Sequence, residues 1–160
     1  MMAIQKSVYL DTTIPSYYVD ERESLSFQAQ LTRRWWKENT GQYILFASNL
    51  TLQELENGSF PNRERAISLI DSVELLRPTQ EVVDIAQIYI NNKLMPHVLE
   101  GDAMHLAYAS FYGLDFLLTW NCNHLANANK RQHIAILNTK LGIGIPAIVT
   151  PMELFREEGM

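Results

Sequence analysis

The chain predicts a three-layer α/β/α sandwich with a mainly parallel central sheet of about five strands. Two observations carry that expectation. Short apolar segments (VYLD, YILFAS, VELL, DFLLTW, AIVT) alternate with helical stretches through most of the chain, the pattern of a parallel sheet covered on both faces. No internal repeat, low-complexity tract or linker breaks the alternation, and 160 residues make a single domain over 1–160 the default.

Taken in order, Val8 to Asp11 forms a short buried strand. Ser24 to Glu38 has mixed helical periodicity, with Phe27, Leu31, Trp35 and Trp36 as its apolar members and Gly41 as its stop. YILFAS (43–48) is the second strand, and Asn49 to Glu56 a short helix ended by Asn57-Gly58. Pro61 to Ser72 is a further helix, with Pro61 in its first turn. VELL (73–76), closed by Pro78, is the third strand. Thr79 to Leu94 is an amphipathic helix capped by Thr79, with Val82, Val83, Ala86, Tyr89 and Ile90 on one face. Asp102 to Tyr112 is nearly all apolar, which predicts a buried helix ended by Gly113. DFLLTW (115–120) is the fourth strand, Lys130 to Leu141 a helix, and AIVT (147–150) a fifth strand before a terminal MELF turn.

Bulk properties exclude several classes. An apolar fraction of 47% with 19% charged residues suits a globular protein. No apolar run approaches the roughly 20 residues of a membrane span. MMAIQKSVYLD lacks a secretory apolar region, so a cytoplasmic location is expected. A single cysteine, Cys122, excludes an intrachain disulfide and a multi-thiolate zinc site. The net charge of −5 argues against broad electrostatic binding to nucleic acid, although an acidic metal pocket contributes several of those charges itself. Basic residues cluster at Arg33, Arg34 and Lys37, at Arg63 and Arg65, and at Lys130 and Arg131, either as solvated helix faces or as a local phosphate-binding rim.

Four polar positions stand out. Asp11 ends the first strand, Glu54 lies in SNLTLQELENG, Asp102 opens GDAMHLAYAS, and Asn121 follows FLLTW. Two of them sit at the carboxyl ends of strands, where open α/β sheets place ligands. Gathered carboxylates repel one another unless a divalent cation neutralises them, and oxygen donors suit Mg²⁺ or Mn²⁺. Metal-assisted phosphodiester hydrolysis is the chemistry this implies. Thr12 and Thr119 supply hydroxyls to orient the carboxylates. Each residue also has a purely structural explanation. Asp11 suits a turn, Thr51 and Glu54 have capping-box spacing, and Asp102 and Asn121 suit helix N-caps.

His105 shares a helical face with Asp102, first as a packed, hydrogen-bonded histidine and second as a wall of the site. His97, His124 and His133 lack metal-ligand spacing, and Cys122 is a buried thiol without a cue for a base. Tyr17, Tyr18, Trp35 and Trp36 are core or dimer contacts before they are base-stacking platforms. Two rivals come from other classes. Asp11 with Thr12 and Thr13 faintly suggests a phosphotransferase of the haloacid-dehalogenase type, but Thr13 stands where that chemistry wants a second carboxylate. A non-enzymatic interaction module would treat Asn121 as the mark of a decayed site.

VYLDTTIPS, SNLTLQELENG, GDAMHLAYASFYGLDFLLTWN and PAIVTP together resemble the PIN-domain family, especially its VapC-like toxin branch, from about Val8 to Pro151. The most specific block is DAMHLAYA followed by a strand and TWN. The resemblance implies Mg²⁺- or Mn²⁺-dependent cleavage of RNA, frequent homodimers, and often an antitoxin partner. Position by position, Asp11 matches the first family aspartate, Glu54 the glutamate of the second segment, and Asp102 the aspartate opening the central helix. Asn121 falls where many members carry a fourth acid, which implies a weaker nuclease, one functional metal, or a non-catalytic RNA binder.

Overall fold

A computed structural model describes residues 5–94, 100–121 and 128–155. Five strands, β1 (Lys6–Leu10), β2 (Tyr43–Ser48), β3 (Glu74–Leu76), β4 (Phe116–Leu118) and β5 (Ala147–Val149), form one sheet in the order β3-β2-β1-β4-β5. Every pairing is parallel, as the alternation of strands and helices predicts. The chain moves outward from β1 to β3, then crosses back to place β4 on the other side of β1. That reversal opens a crevice beyond the carboxyl ends of β1 and β4.

Among the described residues, seven α-helices cover the sheet: α1 (Thr13–Tyr18), α2 (Ser26–Asn39), α3 (Asn49–Asn57), α4 (Arg63–Ile70), α5 (Gln80–Asn91), α6 (Glu100–Phe111) and α7 (Ala128–Leu141). Strand residues divide between two cores because successive side chains point to opposite faces. Val8, Leu10, Ala47 and Leu118 pack with Ile14, Trp35, Leu55, Ala66 and Ile70 on the α1–α4 side. Tyr9, Leu117 and Ile148 pack with residues of α5, α6 and α7 on the other. A tyrosine in the middle of a buried strand thus delivers a hydroxyl to the α6 layer.

Local signals succeed where capping chemistry is strong. The Thr79 side chain accepts from the Val82 amide at 3.2 Å. Gly113 and Gly142 take φ of 67° and 70° and end α6 and α7, a backbone region glycine enters without penalty.

Two expectations need correction, at Pro61 and Val83, and two features are added. The sequence carries no helical signal at Thr13–Tyr18, where α1 forms; Pro15 falls in its first turn, where a missing N–H is harmless. Pro61 lies ahead of α4, whose N-cap is Asn62 in the left-handed region at φ 66°. Val83 is exposed and Ile85 takes its place in the core, because the buried stripe of α5 runs through 82, 85, 86, 89 and 90. Phe27 is likewise exposed. Among the described residues no helix is long and apolar enough to cross a membrane.

Candidate active site

Each candidate is positioned by a different element. Asp11 follows β1 directly and is almost wholly buried. Its Oδ1 accepts from the Thr13 amide at 2.9 Å and from the Thr13 hydroxyl, and its Oδ2 accepts from the Thr119 hydroxyl at 2.5 Å. Thr13 also accepts from the Trp120 amide at 2.9 Å, and Thr119 from the Asn121 amide at 2.9 Å. These bonds lock the β1–α1 corner to the segment after β4, so Asp11 sits at the sheet reversal with both oxygens oriented.

Glu54 is the sixth residue of α3 and therefore not a capping residue. Ser48 is the N-cap, its side chain makes no capping bond, and the Thr51 hydroxyl lies 3.4 Å from the Leu10 carbonyl. The capping-box explanation of Glu54 is thereby removed. Its Oε1 accepts from the Thr12 hydroxyl at 2.5 Å and bonds His105 Nε2 at 2.6 Å. Its Oε2 lies so close to Gly101 that a Cβ there would stand 2.6 Å away. Glycine at 101 is what lets the start of α6 approach this carboxylate.

Asp102 lies in the first described turn of α6, inside the helix rather than at its N-cap. Its Oδ2 accepts from Asn121 Nδ2 at 2.8 Å. Asn121 thus gives Asp102 a neutral hydrogen-bond donor and adds no charge. Hydrogen bonds link Asp11 to Thr119, Thr119 to Asn121 and Asn121 to Asp102, and Glu54 approaches this set at Gly101, the neighbour of Asp102. Among the described residues, no three His, Cys, Asp or Glu side chains stand close enough together to hold a cation as they lie.

Electrostatics separate the carboxylates. Desolvation pushes the Asp11 carboxyl up, and Asp102 adds to the rise, against the lowering effects of His105, Thr119 and Thr13. Burial alone would also raise Glu54, but His105 and the Thr12 hydroxyl hold it below the usual glutamate range. Lys130 lies within electrostatic reach of Asp102, while desolvation lowers its own pKa. The donor set fits a hard divalent cation on two grounds. The candidate donor atoms are oxygens from separate elements, and burial disfavours the charged form of the Asp11 carboxyl, which a nearby cation would offset.

Most of the basic clusters serve the fold. Arg33 donates to the Tyr18 and Asp20 carbonyls and Arg63 to those of Glu56 and Gly58. Arg34 pairs with Glu38, and Arg131 with Glu153. Trp35 is core, whereas Tyr17 packs at a tilt on Trp120 and Tyr18 edge-on to Trp36. His97, His124 and Cys122 lie outside the described residues.

Sequence reasoning missed Tyr9, Gly101 and Thr13. Tyr9 carried a usable signal, because a hydroxyl in the middle of a buried strand requires a partner. Nothing in the sequence marked Gly101, whose role depends on where Glu54 arrives from another helix. The family model of the PIN domain matches residues 8–130, which include all four candidate positions. No curated protein matches the chain.

Proposed function

The chain belongs to the PIN-domain family, and from that premise we propose that it is a Mg²⁺- or Mn²⁺-dependent endoribonuclease. PIN domains are generally nucleases that act on nucleic acid with divalent metal ions. What supports the proposal is that Asp11 and Asp102 are connected by hydrogen bonds through Thr119 and Asn121, beside the carboxyl ends of β1 and β4, with Glu54 from a third element against Gly101.

These three carboxylates would hold the cation, with the amide oxygen of Asn121 as a neutral fourth donor. A bound divalent ion supplies the Lewis-acid charge that phosphodiester hydrolysis requires. The protein's part is to keep the oxygens in place. Thr13 and Thr119 fix Asp11, Thr12 fixes Glu54, and Asn121 fixes Asp102. Lys130, near Asp102, offers positive charge to a phosphate at the rim.

The finer reading is a toxin of the VapC-like branch, a single domain over 1–160 acting in the cytoplasm as a homodimer and restrained by an antitoxin. It rests on the resemblance of DAMHLAYA and TWN to that branch. A second reading, a non-catalytic RNA- or protein-binding module, is favoured by one observation: Asn121 gives Asp102 a hydrogen bond and no charge.

Cleavage of a labelled RNA pool with and without Mn²⁺, for wild type and Asp102→Asn, separates the two. Metal-dependent cutting by the wild type that disappears in the variant supports the nuclease. Equal rates in both proteins, or RNA binding without cutting at any metal concentration, would sink it.

A further inference from the structure

His105 is 2% exposed, and both its ring nitrogens have partners. Nε2 meets Glu54 Oε1 at 2.6 Å, Nδ1 meets the Tyr9 hydroxyl at 2.6 Å, and that hydroxyl meets Ser48 Oγ at 2.7 Å. The path forms a closed circuit through the fold. It starts at Ser48, where β2 hands over to α3, crosses β1 at Tyr9 and α6 at His105, and returns to α3 at Glu54. Ser48 is the N-cap of α3, a position where a serine hydroxyl normally accepts a bond from the helix amides. Here it makes no such bond and is committed to Tyr9 instead.

Direction follows from the ends of the circuit. Glu54 Oε1 already accepts from the Thr12 hydroxyl, and a carboxylate only accepts, so Nε2 carries the hydrogen between them. With the hydrogen on Nε2, Nδ1 of the neutral ring accepts, and the Tyr9 hydroxyl 2.6 Å away donates to it. Ser48 then donates to the Tyr9 oxygen.

We propose that Tyr9, with Ser48 behind it, sets the tautomer and ring orientation of His105, and that His105 is thereby the positioning residue that aims Glu54 into the acidic pocket. The proposal rests on Glu54 being a cation ligand, as in the function proposed above. A carboxylate on the sixth residue of a helix, 36% exposed at its side chain, has several rotamers available to it. The Thr12 bond and the close approach of Gly101 restrict two sides, and His105 restricts the third.

The test is a double-mutant cycle on Mn²⁺ affinity without RNA, using Tyr9→Phe, His105→Ala and both together, with thermal stability measured alongside. Loss of a group that orients a metal ligand weakens metal binding by about 10–100-fold, so His105→Ala should fall in that range. Tyr9→Phe should weaken binding in the same direction by less. Because Tyr9 acts through His105, its effect should vanish when His105 is already alanine. Nitrogen-15 spectra of the metal-free protein should show the His105 ring with hydrogen on Nε2 in the wild type and a mixture of tautomers in Tyr9→Phe.

Tyr9→Phe keeps the buried ring, so it remains informative even where His105→Ala fails to fold. Wild-type Mn²⁺ affinity retained in Tyr9→Phe, or the same loss in both His105 backgrounds, would overturn the positioning role and leave the nuclease reading intact. A wild type that binds no Mn²⁺ would overturn both.

Discussion

Two buried polar networks meet on α6, and they differ in how they end. Near its carboxyl terminus, Ser110 joins Tyr89 of α5 and Asn138 of α7. The Tyr89 hydroxyl bonds Asn138 Oδ1 at 2.6 Å and Ser110 Oγ at 3.0 Å. Asn138 Nδ2 donates to Ser110 Oγ at 2.9 Å and to the Gly144 carbonyl at 2.8 Å. Everything there is neutral, and the network closes on a backbone carbonyl. Near the amino terminus of the same helix, His105 bonds Glu54 and Asp102 accepts from Asn121, so the hydrogen bonds there end on carboxylates at the sheet's open edge. A satisfied neutral network fixes helices against one another. The network at the other end brings carboxylates to the sheet's edge, where His105 faces Glu54 and Lys130 lies within electrostatic reach of Asp102. One end of α6 therefore serves the fold, and the other carries residues of the proposed site.

The largest expected effect breaks the charged network at its ligands. Asp11→Asn or Asp102→Asn should lower Mn²⁺-dependent RNA cleavage by on the order of 10²-fold or more, measured at saturating substrate. The fold should survive, and for Asp11 the sign can be worked out. Its carboxyl is raised on folding, so its contribution to stability is present below the unfolded value of about 3.9. That contribution is lost as pH rises through the folded value. Asp11→Asn should therefore raise the Tm of the metal-free protein at neutral pH. A drop in Tm together with lost activity would instead make Asp11 a structural residue.

Gly101→Ala comes next. Alanine favours a helix over glycine by about 1 kcal/mol, but its Cβ would meet Glu54 Oε2 at 2.6 Å, and the carboxylate must swing away. Mn²⁺ affinity should fall by roughly 10-fold while thermal stability holds or rises. Unchanged affinity would mean that the orientation of Glu54 does not matter to binding.

The site and the fold were legible in the sequence to different depths. The parallel sheet could be foreseen because apolar strands and helical stretches alternate, and caps such as Thr79 and Gly113 act through near neighbours. The short helix after Asp11 could not, since TTIPSYY has no helical stripe and depends on packing against α2 and α4. Asp11, Glu54, Asp102 and Asn121 stood out individually as polar residues beside apolar runs. What joins them did not, because Thr119 to Asp11 and His105 to Glu54 are contacts across 108 and 51 residues. The i,i+3 spacing of Asp102 and His105 put both on one face of a helix, yet only the position of Tyr9 shows what His105 is held against.

A smaller effect comes from Asn121→Asp. It replaces a hydrogen-bond donor to Asp102 with a like charge, which should destabilise the metal-free protein by about 1–2 kcal/mol. Mn²⁺ affinity should rise, since a carboxylate neutralises a divalent ion better than an amide does. Calorimetry and a melting curve at one ionic strength read both changes. If neither quantity moves, Asn121 stands outside the metal's reach.

Tyr89→Phe should have the smallest effect on the site, namely none, and it completes the comparison. Leaving Asn138 and Ser110 short of a buried partner should reduce stability by about 1–3 kcal/mol, seen as a lower Tm, with Mn²⁺ affinity unchanged. A loss of metal binding in this variant would show that the two ends of α6 are not independent.

The most direct measurement is an anomalous-difference map from a crystal of the wild-type protein soaked in Mn²⁺. The account predicts a peak beyond the carboxyl ends of β1 and β4, ligated by oxygens of Asp11, Glu54 and Asp102, and absent from Asp102→Asn. A well-ordered soaked crystal with no peak there, or with Mn²⁺ held by other residues, would contradict it.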